Sequence, residues 1–411
     1  MADKIQGQNI WSRRNFLMRT TGASAGLLFG MAIPFARNMP ASFVPLALAQ
    51  DSDAIDGKAG LTQLNDRPLN AETPPHLLDD SVTPTNRHFI RNNGNPPDEV
   101  DPSTWQLTID GLVDKVLSLS IADLKSQFEV ISYDLLVECG GNGRAFFDPP
   151  ASGNQWTYGA VACSNWTGVR LRDVLNAAGV KPEVIYTAHE GTDSHLSGNA
   201  DLHPVSRGMP IEKAMDPYNL IAFAQNGQDL HPMNGAPLRL VIPGWPGSCS
   251  QKWLSRIYLR DQVHDGAKMT GTSYRVPGYQ VAPGEKVATE DFQIIEAMPV
   301  KSLITYPQTM ADISNETFEI RGHAWSGDTS ISTVDISYDF GATWQKADLN
   351  APSNTNAWQR WTANINLPEK GYYEIWARAI DANGQSQPFA IDWNPKGYLN
   401  NTLHRIAVRR T

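Results

Sequence analysis

Between residues 318 and 380 apolar and polar positions alternate in four runs: FEIRGHA (318–324), TVDISY (333–338), WTANINL (361–367) and YYEIWARAI (372–380). A period of two places every second side chain on one face, the signature of half-buried strands. FGAT and DANG supply turns between them. Short strands separated by turns over about 120 residues predict an immunoglobulin-like β-sandwich, and the change of texture places its start near residue 288. Upstream the pattern is mixed. WQLTIDG alternates like a strand, and LSIADLKSQF has the start and period of a short helix. TGVRLRDVLNAAGV predicts a helix opening near Thr167 and closing at Gly179. Residues 86–287 are therefore expected to form a domain of α+β character. The polar, Pro-rich stretch 50–85 reads as an extended arm that wraps something rather than as a core element.

The first 49 residues have a different logic. SRRNFLM (12–18) precedes a weakly polar run interrupted by Gly22, Gly26, Gly30 and Pro34, and LALAQ offers small residues at Ala47 and Ala49. This predicts a twin-arginine export signal cut after Ala49, delivering the chain to the periplasm. The apolar run is too broken to read as a spanning helix, so no membrane association is expected after cleavage. Twin-arginine export carries passengers already folded, usually because a cofactor is inserted first.

Composition narrows the partners. The formal charge is −9 with 19% charged residues and no basic run, which argues against nucleic acid and anionic membrane surfaces. The three cysteines, Cys139, Cys163 and Cys249, fall in no CxxC or CxxCH. The spacing of a zinc knuckle or of covalently attached haem is therefore missing. An odd count leaves at least one thiol free; Cys163 and Cys249 read either as a bridge or as small buried side chains.

Cys139 stands in VECGGNGRAFFDPP (137–150). As a dinucleotide loop GGNG fails, because the third glycine is absent. A nucleophilic cysteine needs a His or Asn partner that the sequence does not place, and a packed core thiol remains open. Gly140, Gly141 and Gly143, however, permit close backbone approach to a bulky group, while Asn142 and Arg144 offer donors to an anion. A soft thiolate beside such donors suits an oxo-metal cofactor bearing phosphate.

ECGGNGR resembles the CAGNRR motif of the sulfite oxidase family of molybdenum enzymes, in which that cysteine is the only protein ligand to the metal. The likeness runs along essentially the whole chain after the signal. FIRNNGNPP is similar to FxRNHxPxP, WTGVRLRDVL to WxGxxLxDVL, and NGAPLRLVIPGWPGSCSQKWL to HGxPLRVVVPGxxGxxxVKWL. SYRVP resembles a DYKGF-like segment, and WNPKGYLNNTLHRIAV the C-terminal WNLRGxxxxxWHRVxV. The resemblance implies a mixed α/β molybdopterin-binding domain followed by an immunoglobulin-like domain that forms homodimers.

It also implies roles. Cys139 would ligate molybdenum as a thiolate. Arg91, Asn92, Asp193, Arg239, Ser250, Gln251 and Lys252 match positions holding the pterin and its phosphate. Arg91 and Arg144 match substrate-pocket arginines, Trp156 the aromatic wall, and Tyr274 a tyrosine near the oxo group. Asn93 and Asn234 replace two histidines that contact the cofactor in the family, and Lys396 replaces a third pocket arginine. A lysine keeps the charge without the planar two-point grip on an oxyanion, which implies weaker or broader substrate binding. The implied reaction is oxidation of sulfite to sulfate. No haem-binding segment is seen in this chain, so electrons are expected to leave to a c-type cytochrome. A sulfane dehydrogenase acting on protein-bound sulfur is the alternative within the family, and a secreted binding scaffold the alternative outside it.

Overall fold

The computed structural model describes residues 50–51, 55–98, 100–327 and 329–411. The stretch read as an export signal, residues 1–49, lies outside the described residues. The stretch read as an extended arm contains a hairpin, β1 (Thr62–Asp66) and β2 (Leu69–Glu72), joined in antiparallel register. Leu61, Ala71 and Ile90 bury together, and Leu78 inserts further on beside Trp325 and Trp358. The arm is thus part of the packing.

Two sheets build the following domain. In the first, β3 (Gln106–Gly111) and β4 (Leu117–Ser120) are antiparallel, and Ser120 then caps α1 (Ile121–Gln127) in a reciprocal box with Asp123. The second begins with β5 (Ile131–Glu138) and β6 (Val161–Arg170), paired from Ile131–Gly168 to Glu138–Val161. Here the expected helix start is corrected: Thr167 still belongs to β6, and α2 spans Leu171–Ala178. Pairing of Gly168, Val169 and Arg170 with the next strand of the sheet keeps this segment extended. Within α2, Leu171, Val174, Leu175 and Ala178 bury one helical face, and Gly179 at φ +74° closes it as expected. β7 (Tyr186–Gly191) belongs to the first sheet, whereas β8 (Leu220–Gln225) lies beside β6 and β9 (Arg239–Val241) beside β8. β10 (Leu254–Arg260) completes the first sheet between β3, to which it is parallel, and β7. The main core, including Ile109, Leu124, Val169, Leu175, Ile221 and Ile257, forms between these elements.

The alternating runs form the expected sandwich. β11 (Lys301–Tyr306), β12 (Thr317–Trp325) and β14 (Gln359–Asn366) share one sheet, while β13 (Ile331–Ser337), β15 (Gly371–Asp381) and β16 (His404–Arg410) share the other. Ile320, Val334, Trp361, Ile375 and Ile406 fill the space between them. A separate apolar cluster joins Leu136, Val161 and Cys163 to Leu303, Trp325 and Trp358 of the sandwich. All three cysteines are free and buried, so Cys163 and Cys249 form no bridge.

Candidate active site

β5 delivers Cys139 by simple alternation. Leu135, Val137 and Cys139 bury in one cluster with Phe89 and Trp156, whereas Leu136 faces the sandwich cluster. After the strand ends, Cys139 N–H donates to the Ala160 carbonyl at 2.9 Å and Asn142 N–H donates back to Cys139 O at 2.8 Å. Gly143, at φ +90°, occupies a left-handed conformation that a side chain would strain. This turn leaves the sulfur at the wall of a cavity.

The same cavity is lined by Arg91, Asn93 and Tyr274, by Asp193, and by Asn234, Arg239, Ser250, Gln251 and Lys252. Segments far apart in sequence therefore converge on Cys139. Asn93 Oδ1 is the hub of one side: it accepts from Arg91 Nη2 (2.8 Å), Lys268 Nζ (2.7 Å) and Tyr274 Oη (3.2 Å). Burial raises the Tyr274 phenol, but Arg91 and then Lys268 outweigh it and hold the group below its ordinary value. Arg91 is in turn held above its ordinary value, against burial, by Tyr274 and Cys139.

The other side is a nest of basic side chains. Arg239 donates to the carbonyls of Asn234 (2.7 Å) and Ser250 (3.3 Å) and lies over Trp166; burial lowers it to about 9. Lys252 donates to Asn92 Oδ1 and Met233 O and is pushed far below its usual range by burial and then by Arg239. Lys58, which binds Asn234 Oδ1, is lowered to about 7 for the same two reasons. Asp193 is raised to about 6 by burial. Asp193 Oδ1, Ser248 Oγ and Gln251 Oε1 belong to cavity-lining residues and have no hydrogen-bond partner among the described residues, although all three atoms are buried. Buried polar atoms are normally satisfied. Clustered basic side chains, orphaned polar atoms and one soft thiol fit an anionic, phosphate-bearing metal cofactor.

The remaining sequence candidates lie behind or beside the cavity. Asn92 is buried and supports Lys252. Trp156 is fully buried against Phe89, its Nε1 unpartnered. Arg144 is pinned by the carbonyls of Lys396 (3.0 Å) and Asn154 (3.1 Å) and stacks over Tyr398. Tyr398 in turn stacks on Tyr274 at 5.7 Å, so Arg144 meets the cavity through two rings. Lys396 contributes its backbone carbonyl to this arrangement, and its ammonium is not among the cavity-lining groups. Sequence reasoning missed Lys58, Lys268, Tyr398 and Arg207, whose guanidinium lies 5.0 Å from the Tyr274 ring centre. Lys268 was discoverable, standing six residues before Tyr274; Lys58 sits in the arm with no motif around it.

A thiol-bearing basic cavity followed by a β-sandwich fits a molybdopterin-binding oxidoreductase. Residues 93–268 match the oxidoreductase molybdopterin binding domain, and residues 292–411 match the Mo-co oxidoreductase dimerisation domain. Sulfite oxidase of Gallus gallus is 31% identical over 381 residues, covering 87% of this chain and 80% of the relative. Mitochondrial sulfite oxidase of Rattus norvegicus is 33% identical over 361 residues, covering 84% of this chain; the chain spans 64% of that relative's length. The sulfane dehydrogenase SoxCD from Paracoccus pantotrophus superposes with a TM-score of 0.69 at 29% identity, covering 82% of this chain and 83% of that one. The chain belongs to the sulfite oxidase family of molybdenum enzymes.

Proposed function

We propose that the protein oxidises sulfite to sulfate with a bound molybdenum cofactor, in the periplasm, and passes the electrons to a c-type cytochrome. The observation that carries this reading is the cluster of Arg91, Lys268 and Tyr274 around Asn93 in the cavity where Cys139 stands. Cys139 would hold the metal, and Arg239, Lys252, Ser250, Gln251, Asp193, Asn92 and Asn234 would hold the pterin and its phosphate. When bound, the cofactor supplies the two-electron oxo-transfer chemistry.

The protein's own part is electrostatic. Arg91 presents a half-buried guanidinium with a fixed direction, because Asn93 Oδ1 holds one of its nitrogens. Together with Lys268 it compensates a doubly charged oxyanion in a site largely removed from water, where such compensation is stronger than in solvent. Tyr274 offers a hydroxyl whose proton is loosened by the same two cations. Arg144, held by the carbonyls of Lys396 and Asn154 and by the Tyr398 ring, adds positive charge behind Tyr398 and Tyr274.

Sulfite-dependent reduction of cytochrome c by the molybdenum-loaded protein tests this function. Turnover with free sulfite is expected; no reduction of metal or cytochrome by sulfite would refute it. The likeness to SoxCD over most of both chains favours one second reading, oxidation of sulfane sulfur carried on a partner protein's cysteine. That reading predicts cytochrome reduction by the carrier-bound sulfur and none by free sulfite.

A further inference from the structure

The residue immediately before the candidate metal ligand makes a contact that binding a cofactor does not explain. Glu138 is completely buried at the end of β5. Because side chains alternate along a strand, it turns away from Cys139 and toward the sandwich. There its Oε1 accepts from Lys301 Nζ at 2.5 Å, the first residue of β11, and its Oε2 accepts from Trp325 Nε1 at 2.9 Å, the last residue of β12. Lys301 is itself only 6% exposed. Oε1 also accepts from Asn142 Nδ2 at 3.0 Å, and Asn142 Oδ1 accepts from Ala160 N–H at 3.1 Å. Ala160 is the residue whose carbonyl receives the Cys139 N–H.

One buried carboxylate is thus bonded both to the sandwich and to the turn that carries the thiol. Further ties reach the same turn from the C-terminal segment: Leu399 N–H donates to Gly140 O at 2.9 Å, and Asn400 Nδ2 donates to Gly143 O at 2.9 Å. A buried ion pair contributes little net stability compared with an apolar pair of the same shape, whereas its geometry is specific. Fastening two domains would be served equally well by the neighbouring contacts among Leu136, Leu303 and Trp325.

We propose that Glu138 is a positioning residue for the Cys139 ligand, held in place by Lys301 and Trp325, so that the sandwich domain is a structural component of the metal site as well as a dimerisation module. This rests on the reading of Cys139 as the molybdenum ligand, and it is independent of which sulfur compound is oxidised. The carboxylate fixes Asn142, Asn142 fixes the strand edge at Ala160, and the thiol is thereby aimed into the cavity before any cofactor arrives.

Three variants test it: Lys301→Met, which leaves Glu138 without its cation; Trp325→Phe, which removes one donor and keeps the ring packing; and Glu138→Gln/Lys301→Met, which removes both charges together. Folding is followed by circular dichroism. Molybdenum per chain and the thiolate-to-metal absorption of the oxidised protein are measured, together with the rate at which iodoacetamide alkylates Cys139 in metal-free protein, located by mass spectrometry. Disturbing a partner that orients a metal ligand typically costs 10–100-fold in metal affinity. Lys301→Met is expected to retain molybdenum about tenfold less tightly, with a shifted absorption band and altered Cys139 alkylation. Trp325→Phe should show a smaller change in the same direction. The neutral double variant should recover toward wild type, because no buried charge is left unpaired. If Lys301→Met does not fold, Trp325→Phe and the double variant carry the same test. Loss of thermal stability in these variants with metal affinity, absorption and alkylation all unchanged would overturn the proposal, leaving only a domain fastener. Wild-type protein that binds no molybdenum would instead sink the cofactor reading, while the alkylation rates would still report whether Glu138 orients the thiol.

Discussion

Replacing the Cys139 sulfur by oxygen separates folding from chemistry. The side chain is small and its backbone contacts lie in the turn, so Cys139→Ser is expected to fold with an unchanged circular dichroism spectrum. A hydroxyl is a far weaker donor to a soft metal, and sulfite-dependent cytochrome reduction should fall almost to background; substantial turnover by metal-loaded Cys139→Ser would remove Cys139 from the metal. The two arginines make a graded test. Arg91 lines the cavity, and its replacement by Gln should cost a charge-assisted contact of about 1.5–3 kcal/mol, a drop in kcat/KM on the order of 10–100-fold. Arg144 is engaged by two carbonyls and an aromatic face, so Arg144→Gln should lower kcat/KM less than Arg91→Gln does. Equal losses in the two variants would show that Arg144 reaches the substrate directly. Arg91, Cys139 and Lys252 sit in stretches where residue order resembles a family motif, which is why their convergence was legible. Lys58 was not, because it enters the site through tertiary packing that no local pattern encodes, and Tyr398 was not, because it stands in the C-terminal motif at a position that the motif leaves open.

At the scale of elements, the sandwich strands were readable because one face of each is buried and the other is wet, so hydrophobicity alternates. The boundary between β6 and α2 was misread for the opposite reason. Val169, Leu171, Val174 and Leu175 are all fully buried; in VRLRDVL the step from Val169 to Leu171 fits a period of two and the steps from Leu171 to Val174 and Leu175 fit one of 3.6, so the sequence does not reveal where the first gives way to the second. His404, at the start of β16, makes the packing between elements testable by pH. It is buried, accepts from Ile304 N–H at 3.0 Å through Nδ1, and meets the Tyr158 ring edge-on. Burial and then Arg405 lower it to about 3. The folded protein therefore keeps His404 neutral while the unfolded chain takes up a proton near pH 6.5, so this group's stabilisation is present above pH 6.5 and is lost as pH falls toward 3. Between pH 6.5 and 4.5 the loss attributable to His404 should be about 2–3 kcal/mol. His404→Gln, which retains an acceptor, should show a shallower decline in denaturation midpoint over that range; an equally steep decline would exclude His404 as a source.

For the whole molecule, the sandwich carries the match to a dimerisation domain. Light scattering of the purified protein at low micromolar concentration is expected to give twice the mass of one chain, and a chain mass would contradict it. The arm shows how the parts depend on one another. Lys58 bonds to Asn234 in the cavity, Glu72 accepts from Thr157 near Trp156, and Asp79 pairs with Arg321 of the sandwich. Those polar groups join it to both domains, beside the apolar packing of Leu61, Ala71 and Leu78. The three separate, buried thiols bear on where such a molecule can be made. With no cross-link to form, the chain needs no oxidant to finish folding, and millimolar reductant should leave its melting temperature unchanged. On the proposed reading of an exported metalloprotein, assembly would then be completed in a reducing cytoplasm, with Cys139 kept as a free sulfhydryl until a metal takes it, and the holoprotein would reach an oxidising compartment with no thiol chemistry left to perform.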